Sequence, residues 1–329
     1  MAAKIKSRFI INVEYFLILV PILMVRALPL RAAYFLSTRL SMFFYYLGLR
    51  HGKRALQHVL HSGIVASREE AVALVKKNFL HFGKIAVEVI KSHQIVNEKN
   101  SRDFIKLNVG DEFEATCFIP ETKKPVIIVT GHLGNWELAG NAYSWLSGFR
   151  LTSIMRDLGN PRLGDVIYAN REGSTHNSIS KSKGIKPLLM ALKKGESIAI
   201  VADQHASTSE GIDIEFFGHP ARAHSTPALL HLKTGVPIII GALLRTDDSF
   251  HFEFKGTEVI RYTPTGDKEK DIRAVTQMYS SALEKLIREN PEQWMWAHRR
   301  WLDINRNRKK KKKEGTYNGK ESVDQSQDR

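Results

Sequence analysis

One cysteine, Cys117, stands in 329 residues. A lone cysteine excludes an internal disulfide and supplies no cysteine-based zinc site. It precedes the first apolar core run and is far in sequence from the histidine motif described below, so a packing role is expected. No G-x-S-x-G elbow occurs, which removes the usual serine-hydrolase arrangement; in V-T-G-H-L-G a histidine stands where that nucleophile would be. No helix-turn-helix, zinc-finger or RNP-type pattern is present, so nucleic-acid binding has no carrier. No acidic residue lies between Glu14 and Glu69. The most apolar run, Phe9 to Val25, is 17 residues long and is interrupted by Asn12, Glu14 and Pro21. A spanning helix needs about 20 mostly apolar residues, so this run stands at the border between crossing a bilayer and lying in its interface. It does not read as a cleaved signal, since no small-x-small site follows it and Arg26 comes directly after.

The net charge is +15 and the hydrophobic fraction 43%. The fraction is ordinary for a folded domain, and the length allows one large domain with appendages. A basic excess of this size implies an anionic partner. Its distribution points to a membrane surface. The acid-free interval holds Arg26, Arg31, Arg39, Arg50, Lys53, Arg54 and Arg68, interleaved with Tyr34, Phe35, Phe43, Phe44, Tyr45 and Tyr46. Apolar and aromatic faces carrying only positive charge are what an interfacial, anionic-lipid-binding segment needs. An amphipathic helix pair packed on the domain is the competing account. Three regions are expected: membrane-anchoring or interfacial helices over 1–60, an α/β domain over 61–302, and a basic, disordered tail over 303–329 that carries Lys309 to Lys313.

Residues 68–93 predict a helix. Ser67 followed by Glu69 and Glu70 is a start signal, and Ala71, Leu74, Val75, Phe79, Phe82, Ile85 and Val89 recur at helical spacing. His81 and His93 are expected on its surface. Strand-like runs follow at Val126–Val129, Leu151–Met155, Ser197–Val201, Pro237–Leu243 and Phe250–Phe254. Helix-like runs alternate with them at Asn135–Leu146, Pro161–Arg171, Ile185–Lys194 and Ser225–Thr234, and Asp271–Arg288 closes the series. Gly195 and Gly235 sit where helices should stop. Apolar strands alternating with helices predict an α/β fold with a mostly parallel central sheet covered by helices.

The chemistry concentrates in Pro125 to Asn141, where His132 and Glu137 lie five positions apart. On one continuous helix that spacing turns about 500°, which separates the two side chains. They converge if His132 occupies the turn before a helix and Glu137 its first turn, with Gly131 and Gly134 giving the backbone freedom. A carboxylate on one imidazole nitrogen fixes the tautomer and leaves the other to accept a proton. With no serine or cysteine beside His132 in the motif, a base acting on a substrate hydroxyl is favoured over a covalent nucleophile. A structural histidine at a helix start is the plainer alternative. Further ligands for a metal are missing from the motif, and none is expected. A non-catalytic membrane scaffold would leave the His/Glu arrangement unexplained.

G-H-L-G-N-W-E resembles the His-x4-acid motif of the lysophospholipid-type acyltransferases. In detail it is similar to the branch containing the lipid A late acyltransferases (lauroyl and myristoyl transferases), which includes bacterial phosphatidylinositol mannoside acyltransferases. The segments M-R-D-L-G-N-P (155–161), Y-A-N-R (168–171), A-L-K-K-G-E (191–196), V-A-D-Q (201–204), I-E-F-F-G (214–218), T-P-A-L-L-H-L-K-T-G-V-P-I-I (226–239) and P-E-Q-W-M-W-A-H-R-R-W (291–301) agree with it in order and spacing. The resemblance covers residues 40–302. It implies transfer of a fatty acyl chain from acyl carrier protein, or acyl-CoA, to a glycolipid hydroxyl on a lipid A precursor, at the cytoplasmic face of the bacterial inner membrane and in contact with its lipids. No cofactor is implied. His132 would be the general base and Glu137 its orienting partner. Arg171, then Arg156, would meet the oxyanion or a glycolipid phosphate. Asp203 and Gln204, at the end of an apolar strand, would form a second acidic and polar position facing the histidine, with His205 as an alternative contact. Arg299, Arg300 and Trp301 would either bind headgroups or pack on the sheet. The interior Leu-Gly-Asn-Trp and the pentalysine tail depart from the best-known enterobacterial members and leave the acceptor open, with a phosphatidylinositol mannoside-type glycolipid as the alternative.

Overall fold

Seven strands run through the middle of the protein in the order β1-β9-β8-β2-β5-β3-β4. The computed structural model describes residues 8–155, 175–180, 184–207 and 211–301. The strands are β1 (Ile105–Asn108), β2 (Ile127–Thr130), β3 (Leu151–Met155), β4 (His176–Ser180), β5 (Ser197–Val201), β8 (Ile238–Arg245) and β9 (Phe252–Ile260), while β6 (Gly211–Phe216) and β7 (His219–His224) form a separate antiparallel hairpin. Every neighbouring pair in the large sheet is parallel except β8 with β9. Helices α1 (Arg8–Ala27), α2 (Leu30–Tyr46), α3 (Arg50–Ser62) and α4 (Arg68–Ile95) precede the sheet. The shorter α5 (Ser101–Phe104) and α6 (Asp111–Cys117) flank β1, and α7 (Trp136–Ser147) follows β2. Farther along come α8 (Lys186–Lys193), α9 (Thr226–Thr234) and α10 (Lys268–Glu289), then a 3-10 turn over Pro291–Gln293.

The apolar strands are continuous because each is covered on both faces. Ile127, Val129, Ile198, Ile200, Ile238 and Ile240 face one core with Leu188, Leu230 and Leu283 from α8, α9 and α10. Ile128, Ile239, Leu243, Phe252 and Phe254 face the other, with Phe113 of α6 and Leu138 and Tyr143 of α7. Cys117 packs in this second core with no exposed surface, and burial pushes its thiol up to about 12. Ser67 caps α4 by accepting from the Glu70 N–H at 3.1 Å, and the Glu70 carboxylate accepts from the Ala66 N–H at 2.9 Å. Gly195 and Gly235 end their helices with φ of +78° and +70°.

One expectation meets a different outcome, some strands were not expected, and other expected segments lie outside the described residues. β1, β4 and the β6–β7 hairpin are not among the expected strands: β1 and β4 are only four and five residues long, whereas β6, G-I-D-I-E-F, does alternate apolar and polar residues. The helix expected over Pro161–Arg171, the tail from 303 and most of M-R-D-L-G-N-P lie outside the described residues. His81 is not a surface residue. It is 4% exposed and accepts from Arg245 Nη1 at 2.8 Å through Nδ1. Burial, and then the Arg245 charge, hold its pKa well below the usual value. His93 is exposed as expected.

Arg245 belongs to a buried network that ties the amino-terminal helices to the sheet. Its Nε donates to Glu88 of α4, which is fully buried. The same carboxylate accepts from the Tyr34 hydroxyl of α2 and from Asn135 Nδ2, each at 3.0 Å. Among the described residues no helix is long and apolar enough to cross a membrane. The outer faces of α1 and α2 expose Phe16, Leu17, Leu23, Phe35, Leu40 and Phe43, while Ala33 and Tyr34 turn inward.

Arg245→Met would leave the Glu88 carboxylate buried without its cation. Loss of about 3–5 kcal/mol of stability is expected in a denaturant titration, with the Arg245→Met/Glu88→Met double variant recovering part of it.

Candidate active site

Gly134 decides the shape of the turn after β2. Its φ is +59°, and a Cβ there would sit 2.1 Å from the Leu243 carbonyl oxygen, so only glycine fits. The turn is fastened on both sides. Asn135 N–H donates to Leu243 O at 2.7 Å, Gly134 N–H to Gln293 O at 3.1 Å, and Met295 N–H to His132 O at 3.0 Å. Asn135 then caps α7, its Oδ1 accepting from Leu138 N–H at 3.0 Å while its Nδ2 reaches Glu88. His132 therefore precedes the helix, and Glu137 lies in its first turn, as the spacing required.

The carboxylate bonded to His132 is Asp203, in the place that spacing gave to Glu137. Asp203 Oδ1 accepts from the ring Nδ1 at 2.8 Å, and Oδ2 accepts from the His132 backbone N–H at 2.8 Å. Oδ2 also accepts from Trp294 Nε1 at 2.9 Å. The physical reason is register: Thr130 pairs with Val201 at the ends of adjacent parallel strands, so the residues just beyond them meet. Burial alone would raise the Asp203 carboxyl. The His132 charge and the hydrogen bonds from its ring and backbone outweigh burial and hold the group well below the usual carboxylate range. An ionised Asp203 can only accept, so Nδ1 carries a proton, and in the neutral ring the lone pair then falls on Nε2. Gln204 Nε2 lies 3.4 Å from that nitrogen.

Glu137 faces a pocket of about 600 Å³, counting the space that opens to solvent, which also takes in Thr130, Trp136, Tyr143, Phe254 and Ala199. Glu137 Oε1 accepts from Trp136 Nε1 at 2.9 Å, and the Trp136 ring lies 5.2 Å from that of His132. Base and pocket thus share a wall. Arg156 and Arg171 lie outside the described residues. His205 is half-buried next to Gln204. Arg300 and Trp301 pack inward, 1% and 6% exposed, whereas Arg299 is exposed. Arg300 Nη1 donates to Arg222 O at 3.0 Å and to Gln204 O at 3.3 Å, and burial pushes its pKa down to about 10, so it stays charged.

Sequence reasoning missed two neighbours of the base. His298 stands with its ring centroid 4.1 Å from that of His132, and Trp294 binds the shared carboxylate. Both come from W-M-W-A-H-R-R-W, some 160 residues further on, and the density of aromatic and basic residues there was the available signal. Among the described residues no cluster of three or more potential ligands could hold a metal.

A sequence-family model described as bacterial lipid A biosynthesis acyltransferase matches residues 2–303. A phosphatidylinositol mannoside acyltransferase of Mycobacterium tuberculosis is 26% identical over 190 residues, 56% of this chain and 57% of that one. The protein of the same name from Mycolicibacterium smegmatis is 24% identical over 182 residues, 54% of this chain and 56% of that one. The matches thus span little more than half the length of these relatives. The crystal structure of a 1-acyl-sn-glycerophosphate acyltransferase from Thermotoga maritima is 14% identical, with 78% of this chain and 98% of that chain covered at a TM-score of 0.33. That score is too low to equate the two folds.

Asp203→Asn removes the charge that three donors share. A loss of about 2–3 kcal/mol is expected near pH 7. Because the folded pKa is depressed, the charge stabilises above the unfolded value of about 3.9 and its contribution fades as pH falls below it. The gap in stability between wild type and Asp203→Asn should therefore narrow in unfolding curves taken below about pH 4.

Proposed function

The chain belongs to the bacterial lipid A biosynthesis acyltransferase family, and on that premise we propose that it moves a fatty acyl chain from an acyl carrier protein thioester, or acyl-CoA, to a hydroxyl of a glycolipid at a membrane surface. The observation that carries this reading is the His132–Asp203 pair, in which a buried carboxylate holds Nδ1 and leaves Nε2 to accept a proton when the ring is neutral. The acceptor hydroxyl gives its proton to His132 Nε2 as its oxygen bonds to the thioester carbonyl carbon. The C–S bond then breaks, the imidazolium gives that proton to the leaving sulfur, and the thiol departs with His132 neutral again. Asp203 positions the ring and balances its positive charge. Glu137, set beside Trp136 in the pocket wall, is assigned a contact with substrate.

The family description favours a lipid A precursor as acceptor. The relatives named above favour a second acceptor of the same chemistry, a phosphatidylinositol mannoside-type glycolipid. We place the protein at the cytoplasmic face of the bacterial inner membrane. This placement is supported by the apolar outer faces of α1 and α2, with exposed Arg31 and Arg39 on α2 and Arg50 at the start of α3.

Acylation in detergent micelles tests the reading, with acyl carrier protein thioester as donor and a tetra-acylated lipid A precursor or a phosphatidylinositol mannoside as acceptor. Wild type should form product with one of them, and His132→Ala should lose about 10³-fold or more; equal product from both proteins sinks the mechanism. Product on the mannoside alone keeps the mechanism and moves the substrate. Replacing Arg31, Arg39 and Arg50 together by Gln should weaken binding to vesicles containing anionic lipid about 100-fold at low salt, measured by flotation.

A further inference from the structure

One hydroxyl in the pocket wall stands in an unfavourable condition. Thr130 ends β2, one residue before Gly131 and two before His132. It is 7% exposed, it lines the pocket, and its Oγ1 has no hydrogen-bond partner among the described residues. Thr257 and Thr276 share that last property, yet neither lines the pocket. A buried hydroxyl without a partner costs stability, and valine would fill the same shape without that cost. Local physics alone gives no reason for an oxygen here; a ligand that completes its hydrogen bonding does.

The pocket says which ligand atom that is. Thr130 and Val201 pair at the carboxyl ends of their strands, and both line the pocket. One step deeper along the same face are Ile128 and Ala199, and deeper still are Leu151 and Tyr143. Ile128, Ala199, Leu151 and Phe254 make much of the wall apolar; Ser153 and His176 lie level with Ala199 and Leu151 but are bonded to each other at 2.9 Å, and Thr130 and Glu137 stand at the end toward His132, where Trp136 is shared with its ring. An acyl chain seated along this wall with its reacting end toward His132 carries its carbonyl beside Thr130. A carbonyl oxygen can only accept, and a threonine hydroxyl can donate.

We propose that Thr130 is a catalytic residue of the acyl transfer, its Oγ–H donating to the thioester carbonyl oxygen and holding the oxyanion of the tetrahedral intermediate. The proposal rests on the acyl-transfer reading above. Thr130 keeps its proton throughout; His132 alone carries the proton from the acceptor oxygen to the leaving sulfur. The hydrogen bond is weak to a neutral thioester and charge-assisted to the oxyanion, so it acts on kcat more than on KM.

The test uses the full chain in micelles with a dodecanoyl thioester donor and both acceptors, comparing wild type, Thr130→Val, Thr130→Ser and His132→Ala. Thr130→Val should lose about 100-fold in kcat with KM changed by less than about threefold, as expected for one lost oxyanion donor. Thr130→Ser should recover most of that loss. The Thr130→Val melting temperature should equal or exceed that of wild type, because a buried unpaired hydroxyl has gone; a residue that merely holds the fold would move it down. Thr130→Val turning over at the wild-type rate, or failing together with a lowered melting temperature and no rescue by serine, overturns the proposal. Equal product from wild type and His132→Ala overturns the acyl-transfer reading itself, and the proposal with it.

Discussion

A single buried carboxylate organises the site. Asp203 has almost no exposed surface and accepts from the His132 ring, the His132 backbone and the Trp294 indole. A buried charge is tolerated only when its lone pairs are filled. The three donors come from the turn after β2 and from the carboxy-terminal aromatic segment, so satisfying the charge brings distant pieces of chain together. The same contacts fix which nitrogen of His132 is protonated. Electrostatic stability and chemical readiness are here one arrangement.

A second buried carboxylate supports the first from below. Glu88 joins α4 to Tyr34 on α2, to Arg245 on β8 and to Asn135, the cap of α7. Asn135 closes the turn that carries His132, and Gly134 lets that turn pass against the Leu243 carbonyl. α2, whose outer face is apolar and basic, is therefore tied through Glu88 to the loop that presents the base. In the proposed reading, the same connection brings the membrane-facing surface and the reacting groups into one rigid unit.

Much of this fold was legible from periodicity. β3 and β5 start and end where their apolar runs do, and α4, α7 and α10 differ from expectation by a few residues at their ends. Those elements have long or strongly apolar patterns, with caps such as Ser67, Asn135 and Asp267 to mark their starts. β1 and β4 were not legible. Four or five residues containing Lys106, Asn108 or Asn177 become strands because a neighbour offers its edge, which is a tertiary reason. His81 was misplaced for a related cause: spacing puts it beside apolar positions, but only the approach of Arg245 from β8 supplies the partner that lets it be buried.

The sequence by itself determined that a histidine would stand in a glycine-bounded turn between a buried strand and a helix, with an acid one turn further on. That follows from local backbone chemistry, where glycine, an Asn cap and an apolar run leave few conformations. Only the tertiary structure decided which acid binds the ring. Glu137 is near His132 in sequence, but the strand register of β2 with β5 carries Asp203 to its Nδ1, and no local pattern encodes the pairing of strands some 70 residues apart. Tertiary packing likewise brought Trp294 and His298 to the site and left the Thr130 hydroxyl buried in the pocket wall.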